Sequence, residues 1–231
     1  MRLSAIFSVA VLALAALGAD ARAETILAGA ESPVGNLDGP DGWYHILYID
    51  ETHPFDFSST GQTAGFVTSF TLFAEDRSDR PQMVTPFVAE PLGPNDFIVR
   101  LIGTTRVEGT DWTADGLYTF VFDETATPIT QDGWMAGFVS SNPDGSGGGS
   151  PVPYRDNQSS QDGWLTGSES AGATTPRIEV GLAPTAGGSG TWNDGLERFY
   201  QFNIGAVPTP EPAAAMFLLA GLVAVLARRR L

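Results

Sequence analysis

Apolar and polar positions alternate with a period of two through the middle of the chain. In 65–73 the alternation places Phe66, Phe70 and Leu72 on one face. In 97–102 it groups Phe97, Val99 and Leu101, while Arg100 points the other way. In 117–123 Tyr118, Phe120 and Phe122 share a side, and in 199–204 Tyr200, Phe202 and Ile204 do the same. Such patterns, rich in aromatic and β-branched residues, predict half-buried strands. Residues 43–49, 83–90, 134–140 and 177–182 are further strand candidates, which makes about eight.

No stretch of the body carries a 3.6-residue apolar stripe. The chain's 27 glycines and 16 prolines also argue against long helices. Short strands separated by Gly, Pro and Asp predict an all-β fold, a single antiparallel β-sandwich of jelly-roll type. Each sheet is expected to have one buried and one wet face. Residues 140–163, rich in Gly, Ser and Pro with little to bury, predict a long surface loop or insertion.

The two ends break the alternation. The chain opens Met1-Arg2-Leu3, runs apolar from Ala5 to Leu17, and reaches Ala21-Arg22-Ala23. A basic start, an apolar stretch and small residues at the two cleavage-reading positions, Ala21 and Ala23, predict a secretory signal peptide over 1–23. At the other end, Ala213 to Ala227 is 15 residues without a charge. As a helix it spans roughly 22 Å, short for a hydrocarbon core of about 30 Å. Arg228, Arg229 and Arg230 follow at once and hold that end in the cytoplasm, leaving the body on the far side of the inner membrane.

In front of the apolar span stand Pro210, Glu211 and Pro212. The Pro-Glu-Pro triplet, the short apolar helix and the arginine cluster together resemble the PEP-CTERM sorting signal, here over residues 207–231. The resemblance implies an exported protein of a Gram-negative bacterium that makes extracellular polysaccharide. It also implies recognition by an exosortase, a membrane protease-transpeptidase, which removes the tail near the triplet. The body would then be anchored only briefly before reaching the cell surface or the medium. The segment from Gly42 through Arg106, with Val84-Thr85-Pro86-Phe87 and Ile102-Gly103-Thr104-Thr105, is similar to the bodies of other PEP-CTERM proteins of unassigned activity, and this likeness implies no active site.

Composition narrows the body's chemistry. The 231-residue chain has a formal charge of -15 and no cysteine, and its 12 basic residues are all arginine. Disulfide staples and cysteine zinc sites are excluded. An acidic chain also does not suit nucleic acid, whose phosphates call for a basic face. The body alone, residues 24–207, carries 25 acidic residues against 7 arginines, a charge of -18. Such a body should attract divalent cations. An acidic polysaccharide would then be bridged by a cation rather than paired directly.

Candidate chemistry is sparse. His45 falls in a predicted strand and His53 in a turn, with no nucleophile elbow and no zinc-protease motif beside either. Seven Asp-Gly steps read as tight turns, since glycine supplies positive φ there. The sharper alternative for them is calcium ligation by loop carboxylates. Trp164 and Trp192, in Gly-rich surroundings, are candidate platforms for a sugar ring, whereas Trp43 and Trp134 are expected to pack. No catalytic residue and no metal ligand is assigned. The leading expectation is a non-enzymatic surface or matrix protein. The alternatives are a carbohydrate-binding module, with or without Ca²⁺, and a secreted glycoside hydrolase working through paired carboxylates.

Overall fold

The computed structural model describes residues 24–35, 45–76, 82–94, 96–142, 150–155, 163–168, 176–185, 192–193 and 199–209. The expected signal peptide and the apolar span 213–227 lie outside them. Among the described residues no helix is long and apolar enough to cross a membrane.

The strands are β1 (Ile26–Gly29), β2 (His45–Asp50), β3 (Ala64–Ala74), β4 (Met83–Gly93), β5 (Asp96–Ile102), β6 (Arg106–Val107) and β7 (Gly116–Val121). They continue with β8 (Ile129–Gln131), β9 (Met135–Ser141), β10 (Tyr154–Arg155), β11 (Gly163–Ser168), β12 (Trp192–Asn193), β13 (Phe199–Tyr200) and β14 (Phe202–Pro208). A smaller sheet runs β1-β14-β3-β7, with β8 on the end of β3. A larger one runs β12-β11-β2-β9-β4-β5, with β6 on β4. Every pairing between these strands is antiparallel. The fold is all-β and sandwich-like, and seven of the eight expected strands form.

The inner faces of the two sheets meet in one apolar core. The smaller sheet supplies Phe70, Leu72, Phe122, Phe202 and Ile204; the larger supplies Ile46, Tyr48, Val84, Val88 and Phe138. At its centre the Phe138 ring lies 5.0 Å from Phe202, 5.3 Å from Tyr200 and 5.9 Å from Tyr48. These tilted and edge-on contacts are the arrangement aromatic quadrupoles favour.

The larger sheet departs from the expected wet outer face. Leu47, Ile49, Phe87, Ala89, Phe97, Val99 and Val139 form a second buried cluster on that side, and every residue of β2 is buried. The run Ile46-Leu47-Tyr48-Ile49 reads as continuously apolar because both of its faces are covered. Gly137 of β9 has no room for a side chain: a Cβ there would come 2.7 Å from the Tyr48 carbonyl and strike the Phe87 ring.

The cover includes residues 176–185, part of which was expected to be a strand over 177–182. It forms an arm instead. Arg177 and Thr185 exchange backbone hydrogen bonds, and Gly181 (φ +88°) closes a tight turn in which Leu182 N–H donates to Glu179 O. At the tip Val99 N–H donates to Leu182 O, and Gly181 N–H donates to Val99 O. The arm therefore satisfies part of the outer edge of β5, which would otherwise be open to stray pairing. Ile178 packs on the outer cluster.

Two β-bulges correct the expected faces. Val67 pairs with Ala206 and Ser69 with Gly205, so Thr68 is an extra residue in β3. The buried positions change there from Gly65 and Val67 to Phe70, Leu72 and Ala74, and Phe66 does not share a face with Phe70. In β5 Arg100 is the extra residue, since Val88 pairs with Leu101 and Ala89 with Val99. Leu101 therefore joins the inner core, while Phe97 and Val99 stay outside. An inserted residue switches the side-chain parity of everything beyond it.

Part of the expected loop 140–163 is ordered structure. Ser140 and Ser141 end β9, Val152 is fully buried, Tyr154 packs on the core from β10, and Gly163 opens β11. The prolines flanking Val152 leave no N–H unpaired, and their carbonyls accept from Glu75 and Gln201.

Arg106 clasps the sheets at one edge. From β6 it donates to Val121 O (3.0 Å) and Glu124 Oε1 (2.6 Å), pairs with Asp111, and lies 4.9 Å from the Phe120 ring centre. Its own side chain is mostly buried against the Phe120 ring, while Glu124 is more than half exposed, so water screens that pair. Phe138→Ala should remove the centre of the aromatic cluster and lower stability by about 3–5 kcal/mol. Urea unfolding followed by tryptophan fluorescence measures it.

Candidate functional site

The outer face of the larger sheet grades from apolar to hydroxylated toward one end. Phe87, Ala89 and Val99 give way to Thr85 and Met83 on β4, paired with Val139 and Ser141 on β9. Thr105, between β5 and β6, brings its hydroxyl 2.8 Å from that of Thr85. The root of the arm, Pro176, Arg177 and Ile178, stands beside these residues. Together they enclose a groove of about 530 Å³, inside the range of about 300–1,000 Å³ usual for small-ligand sites.

Arg177 is held from behind. Its N–H donates to Thr185 O and its carbonyl accepts from Thr185 N–H, both at 3.0 Å. Its side chain is exposed and makes no salt bridge among the described residues. The other arginines with described side chains are engaged: Arg100 with Glu90 and the Trp134 ring, Arg106 with Asp111 and Glu124. In a body this acidic, an arginine beside a groove with no carboxylate on it is a locally positive point.

Neither histidine is among the groove's lining residues, although His45 is a strand neighbour of one of them. His45 is buried at the start of β2, opposite Ser141 of β9 and Ser168 of β11. His53 is half exposed and tied to the fully buried Asp50, whose carboxylate accepts from Thr52 N–H, Thr52 Oγ1 and His53 N–H at 2.9–3.0 Å. Asp50 and Thr52 both approach Nδ1 of His53. A serine-type site needs carboxylate and hydroxyl on opposite imidazole nitrogens, and this geometry is instead a turn closed by an aspartate.

Aspartates accept backbone N–H groups elsewhere too, locally at Asp56, Asp111 and Asp123 and from distant segments at Asp115 and Asp132. Asp56 accepts from Ser58 N–H, Asp111 from Val107 N–H, Asp115 from Asp76 N–H, Asp123 from Thr125 N–H and Asp132 from Phe57 N–H. The side-chain and backbone hydrogen bonds of Ser58 hold the Asp56 carboxyl below its ordinary 3.8. The backbone and side-chain hydrogen bonds of Thr125 do the same for Asp123. The Asp132-Gly133 step is a turn with Gly133 at φ +78°, as the Asp-Gly pattern predicts. Among the described residues no three His, Asp or Glu side chains converge as a metal-binding group.

The other sequence candidates fall as follows. Trp164 lies in β11 opposite Ile49, and Trp192 lies in β12 opposite Thr166, so register brings the two near one edge of the larger sheet. Their side chains lie outside the described residues. Trp134 packs against the inner core as expected, and Trp112 is fully buried. Trp43, Ala21, Ala23, Pro210, Glu211, Pro212 and Arg228 to Arg230 lie outside the described residues. The groove residues carry no local motif: Thr85 and Thr105 are twenty positions apart, and only the sheet brings them together.

No family model, curated protein or solved structure matches the chain. At the Asp50 turn, Asp50→Ala should strip a buried acceptor from three donors and lower stability by about 2–3 kcal/mol. Comparison of urea midpoints with the parent protein measures the loss.

Proposed function

We propose that the chain is a non-enzymatic exported protein of the cell surface or extracellular matrix, associated with the exopolysaccharide of a Gram-negative bacterium. A signal peptidase cuts after Ala23. An exosortase-type protease then cuts near Pro210-Glu211-Pro212 in the 207–231 sorting signal, whose apolar segment 213–227 anchors the body briefly in the inner membrane. The wrapping is of jelly-roll type, which the chain's repeated passage between sheets supports: β1 and β3 lie in the smaller sheet, β2 and β4 in the larger.

The observation that carries the reading is how closely β14 approaches the Pro-Glu-Pro triplet along the chain. β14 runs to Pro208 in the interior of the smaller sheet, and Thr209 donates to Ala64 O through both N–H (3.0 Å) and Oγ1 (3.2 Å). The next residue is Pro210. Val207, Pro208 and Thr209 therefore belong to the folded body, and the sorting signal follows with no spacer. A cut within 210–212 would release the body without removing a strand.

A second reading, a carbohydrate-binding module, is favoured by the hydroxyl-lined groove. Sugar contact through Trp164 and Trp192 and calcium assistance remain subordinate parts of that reading. Hydrolysis of a polysaccharide with a carboxylate-dependent pH profile would instead make the chain a glycoside hydrolase and overturn the non-enzymatic reading.

Replacing Pro210, Glu211 and Pro212 by alanine should leave an unprocessed species in the membrane fraction, seen as a larger band on an immunoblot. Normal processing of that variant would overturn the exosortase assignment. Ending the chain at Thr209 should leave the melting temperature within about 2 °C of the parent, whereas ending it at Asn203 removes most of β14 and should abolish cooperative unfolding. Circular dichroism melts decide between these outcomes.

A further inference from the structure

We propose that the groove beside Arg177 binds a carboxylate-bearing sugar, a uronic-acid unit of an acidic polysaccharide. The inference deepens the carbohydrate-binding reading and rests on it.

Four observations carry the assignment. Arg177 offers an exposed guanidinium with no carboxylate on it among the described residues. The guanidinium fork matches a carboxylate in two parallel hydrogen bonds. Thr85 and Thr105, hydrogen-bonded to each other, line the same groove and keep lone pairs and one hydroxyl proton for ring hydroxyls, with the nearly buried Ser141 beside them. Met83, Val139 and Ile178 supply apolar surface for the C–H face of a sugar ring. The two backbone hydrogen bonds to Thr185 fix the base of Arg177 before any ligand arrives, which lowers the ordering cost of binding.

Charge selects among anions. Among the described residues the lining holds one arginine and no second cation. A singly charged carboxylate is matched by it, whereas a phosphate dianion would keep an uncompensated charge in a strongly acidic body. The groove's volume of about 530 Å³ leaves room for more than the charged group alone.

The probe is tetragalacturonate, titrated calorimetrically into the full-length chain in mild detergent, in EDTA at about 0.15 M salt. Saturable binding is expected without calcium, with maltotetraose binding roughly tenfold more weakly or not at all. Arg177→Gln should weaken tetragalacturonate binding roughly tenfold or more, and Arg177→Lys by less, since an ammonium keeps the charge but loses the fork. Both variants should melt with the parent, because the side chain is exposed. Thr85→Val should weaken binding a few-fold.

Absence of saturable binding to the parent would overturn the proposal. So would unchanged affinity in Arg177→Gln, or equal affinity for maltotetraose. Binding that appears only when calcium replaces EDTA would assign the contact to a cation bridge instead. Equal binding of a short peptide through its terminal carboxylate would make the groove a peptide site. Each of these failures leaves tail processing untouched, so the sorting reading is judged separately by the alanine replacement of 210–212.

Discussion

The aromatic cluster formed by Tyr48, Phe138, Tyr200 and Phe202 is the contact on which the two-sheet arrangement depends. With no cysteine in the chain, no covalent staple holds the sheets together. Tyr48 and Phe138 project from neighbouring strands of the larger sheet. Phe202 begins the strand that lies in the interior of the smaller one, and Tyr200, two residues earlier, belongs to the β10–β13 ribbon. One cluster therefore joins three sets of strands. Aromatic rings bury large apolar areas at a modest entropy cost, so a few of them can supply what a domain without disulfides needs. Arg106 adds a polar clasp at the edge, yet its partners belong to strands the core has already brought together.

That constraint propagates outward. Because Tyr48 and Phe138 must face inward, Leu47, Ile49 and Val139 must face outward, since a strand alternates sides without exception unless a residue is inserted. The outward set is too apolar to leave wet, and the 176–185 arm covers part of it. The groove lies between that apolar patch and the root of the arm.

The sequence pattern carried most of the strand positions, since a period of two is written into residues such as Tyr118, Phe120 and Phe122. It did not carry the bulges. Thr68 and Arg100 resemble any other strand residue, and only the pairing with β14 and β4 marks them as extra. Very short strands were also illegible: β6, β10 and β12 have two residues each, less than one full alternation. Residues 177–182 have a strand-like composition but become an arm, because Gly181 takes a positive φ that breaks extension. Of the chemistry, the turn-forming role of Asp-Gly was readable at Asp132-Gly133, where local backbone geometry decides it. Asp50 with Thr52 and His53 was within reach of a turn argument, from an aspartate placed two and three residues before its donors. The groove was not readable, because Thr85, Thr105, Ser141 and Arg177 become neighbours only through register and the fold of the arm.

Net charge and local charge now point to different conclusions about an acidic ligand. A body at -18 repels a polyanion at a distance, which favours a bridging cation when only the total is known. Part of the total, however, is tied to backbone: Asp50, Asp56, Asp111 and Asp123 accept N–H groups within their own turns, and Asp115 and Asp132 accept them from distant segments. At physiological ionic strength the screening length is about 8 Å, so charges beyond that distance contribute little to a ligand already in contact with Arg177. Long-range repulsion then acts on the approach of the polymer, and the guanidinium acts on the bound state. On the proposed reading, an arginine without a carboxylate partner among the described residues and beside hydroxyls pairs an acidic sugar directly, and the acidity of the body slows only its arrival.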